Sequence, residues 1–183
     1  MAKHDAFEIL YREYYVRVFG LCRRLLNSSE LAEDATQEAF MRAYRSFKKY
    51  DASQPFWQWI ATIANNYCID QLRLRKGKES MFGSEQEELD LLEADGSSIE
   101  ARAISFEDAD AVNTALSLLD DKYRIPLVMA YFSGASYDEI AEQLDVSRNH
   151  VGVLLLRGKE RLRQALLSSE QGEGAEGSEG VGV

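Results

Sequence analysis

Apolar residues recur at three- and four-residue steps over most of this chain. Phe7, Leu10, Tyr11, Tyr14, Val18, Leu21, Cys22 and Leu25 fall on one stripe, which predicts a helix from about Asp5 to Leu26. Asn27-Ser28-Ser29 breaks that pattern and offers a cap for the next helix. The second helix carries Leu31, Ala35, Ala39, Ala43 and Phe47 on one face and leaves Asp34, Gln37, Glu38 and Arg42 outside it. Residues 50–55 read as a loop. Pro55 suits the first turn of a third helix, where its missing N–H costs nothing. That helix is expected to run to about Arg75, with Phe56, Ile60, Ile63, Ala64, Tyr67 and Leu72 inward. Three helices with short connections make a small antiparallel bundle.

The periodicity then lapses. Glu, Asp, Ser and Gly dominate residues 79–105, with Met81, Phe82, Leu89, Leu91 and Leu92 scattered among them. This composition predicts an extended, flexible linker with short apolar anchors. Helical spacing resumes near Phe106 and holds to Leu119. Asp120 can cap a further helix through Tyr131, and Pro126 inside it should bend it. Ser133-Gly134 ends that helix. Ser136-Tyr-Asp-Glu139 has the form of a capping box before an apolar run. Ile140, Ala141 and Leu144 should pack inward. Asp145-Val146 turns the chain, Ser147 can cap a last helix, and Val151 and Leu155 should face the core. Ser168–Val183 is rich in Gly and Glu and reads as disordered. With two prolines and no useful strand alternation, the fold class is all-α. The expected division is a helical bundle over 1–78, an acidic linker over 79–105, a helix-turn-helix domain over 106–167 and a tail over 168–183.

Charge changes this picture. A net charge of −10 over 183 residues looks wrong for a partner of nucleic acid. Its distribution resolves the conflict. Residues 42–78 hold eight Lys/Arg against two Asp, and 147–167 hold five against one Glu. Residues 79–110 hold eleven Asp/Glu against one Arg, and the tail adds four Glu. Basic charge is thus confined to two patches, and local fields decide where a polyanion docks. Cys22 and Cys68 sit in apolar helical contexts with no partner at ligand spacing, so buried thiols in a reducing compartment are expected. The first residues are too acidic for a signal peptide, and no apolar run suits a bilayer span. A soluble, cytoplasmic protein without membrane insertion follows.

A helix-turn-helix sets its second helix in the major groove. Here Arg148, Asn149 and His150 occupy the first turn, where base edges are met. Arg157, Lys159, Arg161 and Arg163 follow towards phosphates. An ordinary helical hairpin with a basic surface helix is the plainer alternative. In the first domain, Phe40, Tyr44, Tyr50, Trp57 and Trp59 precede or accompany Asn65, Asn66, Asp70 and Arg73. Aromatic faces, amides and cations together suit an unstacked single strand. Phe40, Phe47, Phe56, Ile60 and Tyr67 read as core. Trp57 and Trp59 cannot both point inward equally, so one should be at least half-exposed. Asp34, Gln37 and Glu38 share nearby turns and read as a protein-docking face, or as a merely solvated one. No residue set supports catalysis, a metal or a cofactor.

These residues resemble a known family. Asp34-x-x-Gln37-Glu38-x-Phe40-x-x-Ala43, Pro55-Phe56-x-x-Trp59-Ile60 and Ile63-Ala64-x-Asn66-x-x-x-Asp70-x-x-Arg73 resemble region 2 of the extracytoplasmic-function (group 4) sigma factors of the sigma-70 family. Ser136-Tyr-x-Glu139-Ile140-Ala141 with Val146-Ser147 resembles their region 4. The likeness runs from about Phe7 to Leu166. It implies a protein that binds core RNA polymerase and directs transcription initiation. Asp34, Gln37, Glu38, Phe40 and Arg42 would meet the β′ clamp helices, and the second domain the β flap. Tyr50, Trp57, Asn65, Asn66, Asp70, Arg73 and Arg75 would hold the −10 element. Ser147, Arg148, Asn149, His150, Arg157, Lys159 and Arg161 would hold the −35 element. An anti-sigma factor is a further implied partner.

One departure stands out. Family members usually carry Lys, Ser and Arg in mid-recognition helix. Here the run is Val151-Gly-Val-Leu-Leu-Leu156, and Gly152, Val153 and Leu154 remove polar contacts that would face DNA. The alternatives to a sigma factor are an autonomous helix-turn-helix regulator and a helical adaptor that binds no DNA. Neither explains both halves of the chain.

Overall fold

The computed structural model describes residues 3–76, 81–83 and 109–173. All regular structure among them is helical. The first domain consists of α1 (Lys3–Leu26), α2 (Ser29–Ser46), a 3-10 turn (Phe47–Lys49) and α3 (Phe56–Lys76). The second consists of α4 (Ala109–Leu118), α5 (Asp121–Val128), a π turn (Met129–Ser133), α6 (Tyr137–Leu144) and α7 (Arg148–Glu173).

The three-helix bundle closes on the predicted stripes. Val18, Leu21, Cys22 and Leu25 of α1 meet Ala32, Ala35, Ala39 and Ala43 of α2, and all are buried. Alanines on α2 let its backbone approach its neighbours closely, so α1 and α3 supply the bulk. Ile60, Ala64, Cys68, Ile69 and Leu72 of α3 complete the core. Ser28 caps α2 by accepting from the Leu31 N–H. At one end an aromatic cluster forms around Phe7, Phe40 and Tyr11, with Phe7 edge-on to Phe40 at 6.3 Å and Tyr11 edge-on to Phe40 at 4.8 Å. Phe40 and Phe56 are core, as expected, whereas Phe47 and Tyr67 are only half-buried.

In the second domain the capping box of Ser136 and Glu139 is complete. Ser136 Oγ accepts from the Glu139 N–H, and the Glu139 carboxylate accepts from the Ser136 N–H at 2.7 Å. Asp145 turns the chain at φ 57°, and Ser147 caps α7 by accepting from the His150 N–H at 3.0 Å. The bend expected at Pro126 takes the form of a change of helix type. Pro126 donates no bond, and three residues on the chain widens into the π turn, which Gly134 closes at φ 77°. Pro126 itself is buried.

Two boundaries differ from the sequence reading. α1 starts at Lys3, two residues before the expected Asp5 and ahead of the apolar stripe that opens at Phe7. α7 runs to Glu173, so Ser168–Glu173 is helical rather than disordered, because it continues an already nucleated helix. Phe82 is buried, which makes it one of the expected linker anchors. The rest of the linker from 84, and residues 106–108 and 174–183, lie outside the described residues.

The two domains pack together, and the contact is polar at its centre. Arg124 of α5 is almost wholly buried. Its guanidinium donates to the carbonyls of Arg24 at 3.1 Å and Leu25 at 3.3 Å, and to Leu119 O at 3.0 Å in its own domain. It is also ion-paired with Asp121. Arg24 and Leu25 lie in the last turn of α1, where carbonyls lack intrahelical partners and the helix dipole is negative. A cation of the second domain therefore caps a helix of the first. Asn27 Nδ2 adds a bond to Ser117 O at 3.1 Å, and the Arg24 guanidinium lies 4.3 Å over the Phe132 ring.

Candidate nucleic-acid interface

The second helix of the helix-turn-helix, α7, has a clear phase. His150, Val151, Leu154, Leu155, Gly158 and Leu162 form its buried stripe. Ser147, Arg148 and Asn149 are exposed at its first turn, as a base-reading end requires. Arg148 Nη1 donates to both carboxylate oxygens of Asp138 on α6, at 2.9 and 2.7 Å. Both side chains are well exposed, so this pair orients Arg148 more than it stabilises the fold.

Two expectations on this helix need correction. His150 is not on the exposed face. It lies 3% exposed, four residues before Leu154 on the buried stripe. Leu154 likewise is fully buried, so it does not present an apolar surface to DNA. Helical phase, readable from Val151 and Leu155, assigns both residues inward. Further along, the Lys159 ammonium lies 5.3 Å over the Tyr131 ring, and the Arg161 guanidinium 4.8 Å over Tyr123. Arg157 is half-buried.

In the first domain, Asn66, Asp70 and Arg75 are exposed on α3. Asn65 and Arg73 are not free. Asn65 is 1% exposed, and its Nδ2 donates to Ser133 Oγ of the second domain at 3.0 Å. Arg73 Nη2 donates to Gln143 O at 3.2 Å, also across the domain boundary. The loop before α3 is pinned from within. The Ser53 N–H donates to Asp51 Oδ1 at 2.9 Å, which holds the Asp51 carboxyl below its usual range. Tyr50 donates to Gln54 O at 2.6 Å and stacks on Phe47, and burial followed by neighbouring Tyr14 and Asp51 raises its hydroxyl pKa.

Trp57 is the third correction. It is buried, stacked on Tyr14, with the Arg17 guanidinium 3.7 Å over its ring. Trp59 is the half-exposed member of the pair. Two side chains of α1 thus already meet the Trp57 indole.

On α2, Asp34, Gln37 and Arg42 are exposed, Glu38 is half-buried and Phe40 is core. Arg42 pairs with Glu38 at 2.7 Å and covers the Tyr67 ring at 4.8 Å. Reading along the chain missed Arg124, Ser133 and Gln143, which bridge the domains. Arg124 had a signal: it is one charge inside the apolar run Tyr123 to Met129. Ser133 and Gln143 had none.

This geometry is that of a promoter-recognition subunit: a helical bundle with a basic, amide-bearing helix, joined to a helix-turn-helix. The comparisons agree. The family Sigma-70 region 2 matches residues 10–78, and Sigma-70, region 4 matches residues 109–162. The ECF RNA polymerase sigma factor SigW of Bacillus subtilis (strain 168) is 33% identical, covering 88% of this chain and 89% of that protein. The ECF RNA polymerase sigma factor SigE of Mycolicibacterium smegmatis is 31% identical, covering 95% of this chain and 67% of that protein. Among solved structures, the sigma factor RpoE of Bartonella quintana, in complex with the anti-sigma factor NepR, superposes with TM-score 0.58 at 22% identity. It covers 88% of this chain and 97% of that one. CnrH, in complex with the cytosolic domain of CnrY, gives 0.52 at 22%, with 91% and 90% covered. These two show a shared fold. The chain belongs to the ECF sigma factors of the sigma-70 family. It is an RNA polymerase sigma factor for transcription initiation, and its partners are core RNA polymerase and promoter DNA.

Proposed function

We propose the following division of labour for its residues. Residues 1–78 act as region 2 and 106–167 as region 4, joined by the acidic segment 79–105. Asp34, Gln37, Glu38 and Arg42 dock on core polymerase, with Phe40 holding their helix in place from the core. Asn66, Asp70 and Arg75, joined by Asn65 and Arg73 once the domains part, hold the non-template strand of the −10 element. Tyr50 and the loop it pins flank that strand. Ser147, Arg148 and Asn149 read the −35 duplex, and Arg157, Lys159 and Arg161 meet its phosphates. Trp57 and His150 act through packing, because both are buried.

One observation carries this reading. Arg148 and Asn149 stand exposed at a capped recognition-helix start, on the same chain as an α3 that exposes Asn66, Asp70 and Arg75. The subunit runs no reaction of its own and works in the cytoplasm. Among the described residues no helix is long and apolar enough to cross a membrane. An anti-sigma factor is a third partner, on the precedent of the RpoE and CnrH complexes.

The test is run-off transcription. Core RNA polymerase is incubated with genomic promoter fragments, with and without this protein. Protein-dependent start sites are expected, and Arg148→Ala and Asn66→Ala should each reduce them. Wild-type output from both variants would refute the residue assignment.

A further inference from the structure

Gly20, Gly152 and Gly158 all stand inside helices, and they differ in what their missing side chain achieves. At Gly158 a Cβ would lie 3.0 Å from two Leu127 side-chain carbons and 3.3 Å from Tyr123 O, so α7 needs glycine there to pack on α5. At Gly20 a Cβ would meet only the guanidinium end of Arg24, at 3.0 Å. At Gly152 it would meet nothing within 4 Å. Glycine in a helix interior is unfavourable relative to alanine. Nothing in the described structure calls for that sacrifice at position 152.

The position is informative. Gly152 lies four residues after Arg148 and three after Asn149, half-buried on the flank of α7 between its buried stripe and its outward side. Val153 and Leu156, both only half-buried, continue that face. The side of α7 turned away from the core therefore begins with a cation and an amide. It then passes over bare backbone and aliphatic side chains before polar residues resume at Glu160, Arg163 and Gln164. A glycine that the fold does not require permits close approach of something outside the chain. Beyond Asn149, residues 152, 153 and 156 offer no hydrogen-bonding side chain. The one apolar group in the major groove is the C5-methyl of thymine.

We propose that Gly152 is a close-approach notch in the recognition helix. It lets α7 sit deep enough in the −35 major groove for Val153 to pack against thymine methyls, so Gly152 and Val153 set a thymine preference beside the steps read by Arg148 and Asn149. This rests on the −35 role assigned to α7 above. Specificity at those steps comes from methyl contact and fit, without a polar side chain.

The experiment uses holoenzyme reconstituted from core and the full chain. The probe is a promoter duplex recovered by the run-off assay. Replacing each −35 thymine in turn by deoxyuridine removes only its methyl. Weaker binding is expected at one or two positions, by about fourfold for each methyl lost. In Val153→Ala the thymine-to-deoxyuridine ratio should fall towards one at the same positions. Gly152→Ala should raise the free chain's Tm by about 3 °C, yet weaken −35 binding at least about fivefold. That opposition of sign excludes a purely structural role. Higher Tm with unchanged binding would overturn the notch, and equal binding of thymine and deoxyuridine probes at every position would overturn the methyl contact. Wild-type holoenzyme that is insensitive to scrambling of the whole −35 element would instead overturn the −35 role of α7, and this inference with it.

Discussion

Arg124 is the residue whose removal should reshape this protein most. Its guanidinium caps two carbonyls of α1, bonds Leu119 O and pairs with Asp121, all in a nearly dry site. Arg124→Ala takes a donor from three carbonyls and a buried cation from the Asp121 carboxylate. Hydrogen bonds from a charged donor contribute about 1.5–3 kcal/mol each, and breaking a buried pair costs about 3–5 kcal/mol. These overlap, so a total loss of about 4 kcal/mol is expected. Roughly half of it belongs to the two bonds that cross the domain boundary. About 2 kcal/mol shifts the ratio of packed to separated domains roughly thirtyfold. Arg124→Lys keeps the charge but cannot fork between Arg24 O and Leu25 O, so it should fall between the two. Urea unfolding measures the total, and small-angle scattering reports the radius of gyration of the free chain. The expected result is lower stability together with expansion. A loss under 1 kcal/mol, or a full loss with unchanged radius, would refute the argument that Arg124 joins the domains. The consequence for function is direct. Asn65 and Arg73 are engaged by the second domain in the packed form, so a variant that separates more readily should bind a −10 single strand more tightly as free protein.

Gly158→Ala places a methyl group against Leu127 and Tyr123 O, and should destabilise the second domain by about 2 kcal/mol, measured by thermal melting. Cys22 and Cys68 are free and buried; a hydrogen bond between the two thiols, and then burial, hold the Cys68 thiol well above its ordinary pKa. Neither should react with an aromatic disulfide reagent until urea unfolds the chain, and fast labelling of native protein would contradict that packing. Glu160 accepts from Arg163, which lowers its carboxyl below the usual value. A depressed carboxylate adds stability at neutral pH that is lost as pH falls through its folded-state value. Because the pair is half-exposed, Glu160→Gln should cost only about 0.3–0.5 kcal/mol at pH 7 and nothing at low pH. An equal effect at both pH values would exclude the pair as its source.

Much of this architecture was legible along the chain because it depends on near neighbours. Helical stripes, the Ser136–Glu139 capping box, the Gly134 stop and the Ser147 cap all join residues within a few positions, and each stands where its spacing predicts. The exposed ends of the site, Asn66, Asp70, Arg148 and Asn149, were legible for the same reason: they fall off the apolar stripe. His150 was misread although its phase was available, since composition drew it to the polar first turn. Ser168–Glu173 was misread because glycine-rich composition outweighed the helix preceding it.

The amino-acid order alone determined two helical units, their polarity, the separation of basic patches from acidic segments, and the family to which they belong. Tertiary structure decided which polar groups are free. Asn65 and Ser133 lie 68 positions apart, and Arg124 and Leu25 99 apart. No local periodicity encodes such pairs. They form because a helix end leaves carbonyls unsatisfied and a buried cation must find acceptors. Trp57 shows the same limit: an aromatic beside a loop suits a nucleobase as well as it suits Tyr14 and Arg17, and only the packed chain shows which of them it meets.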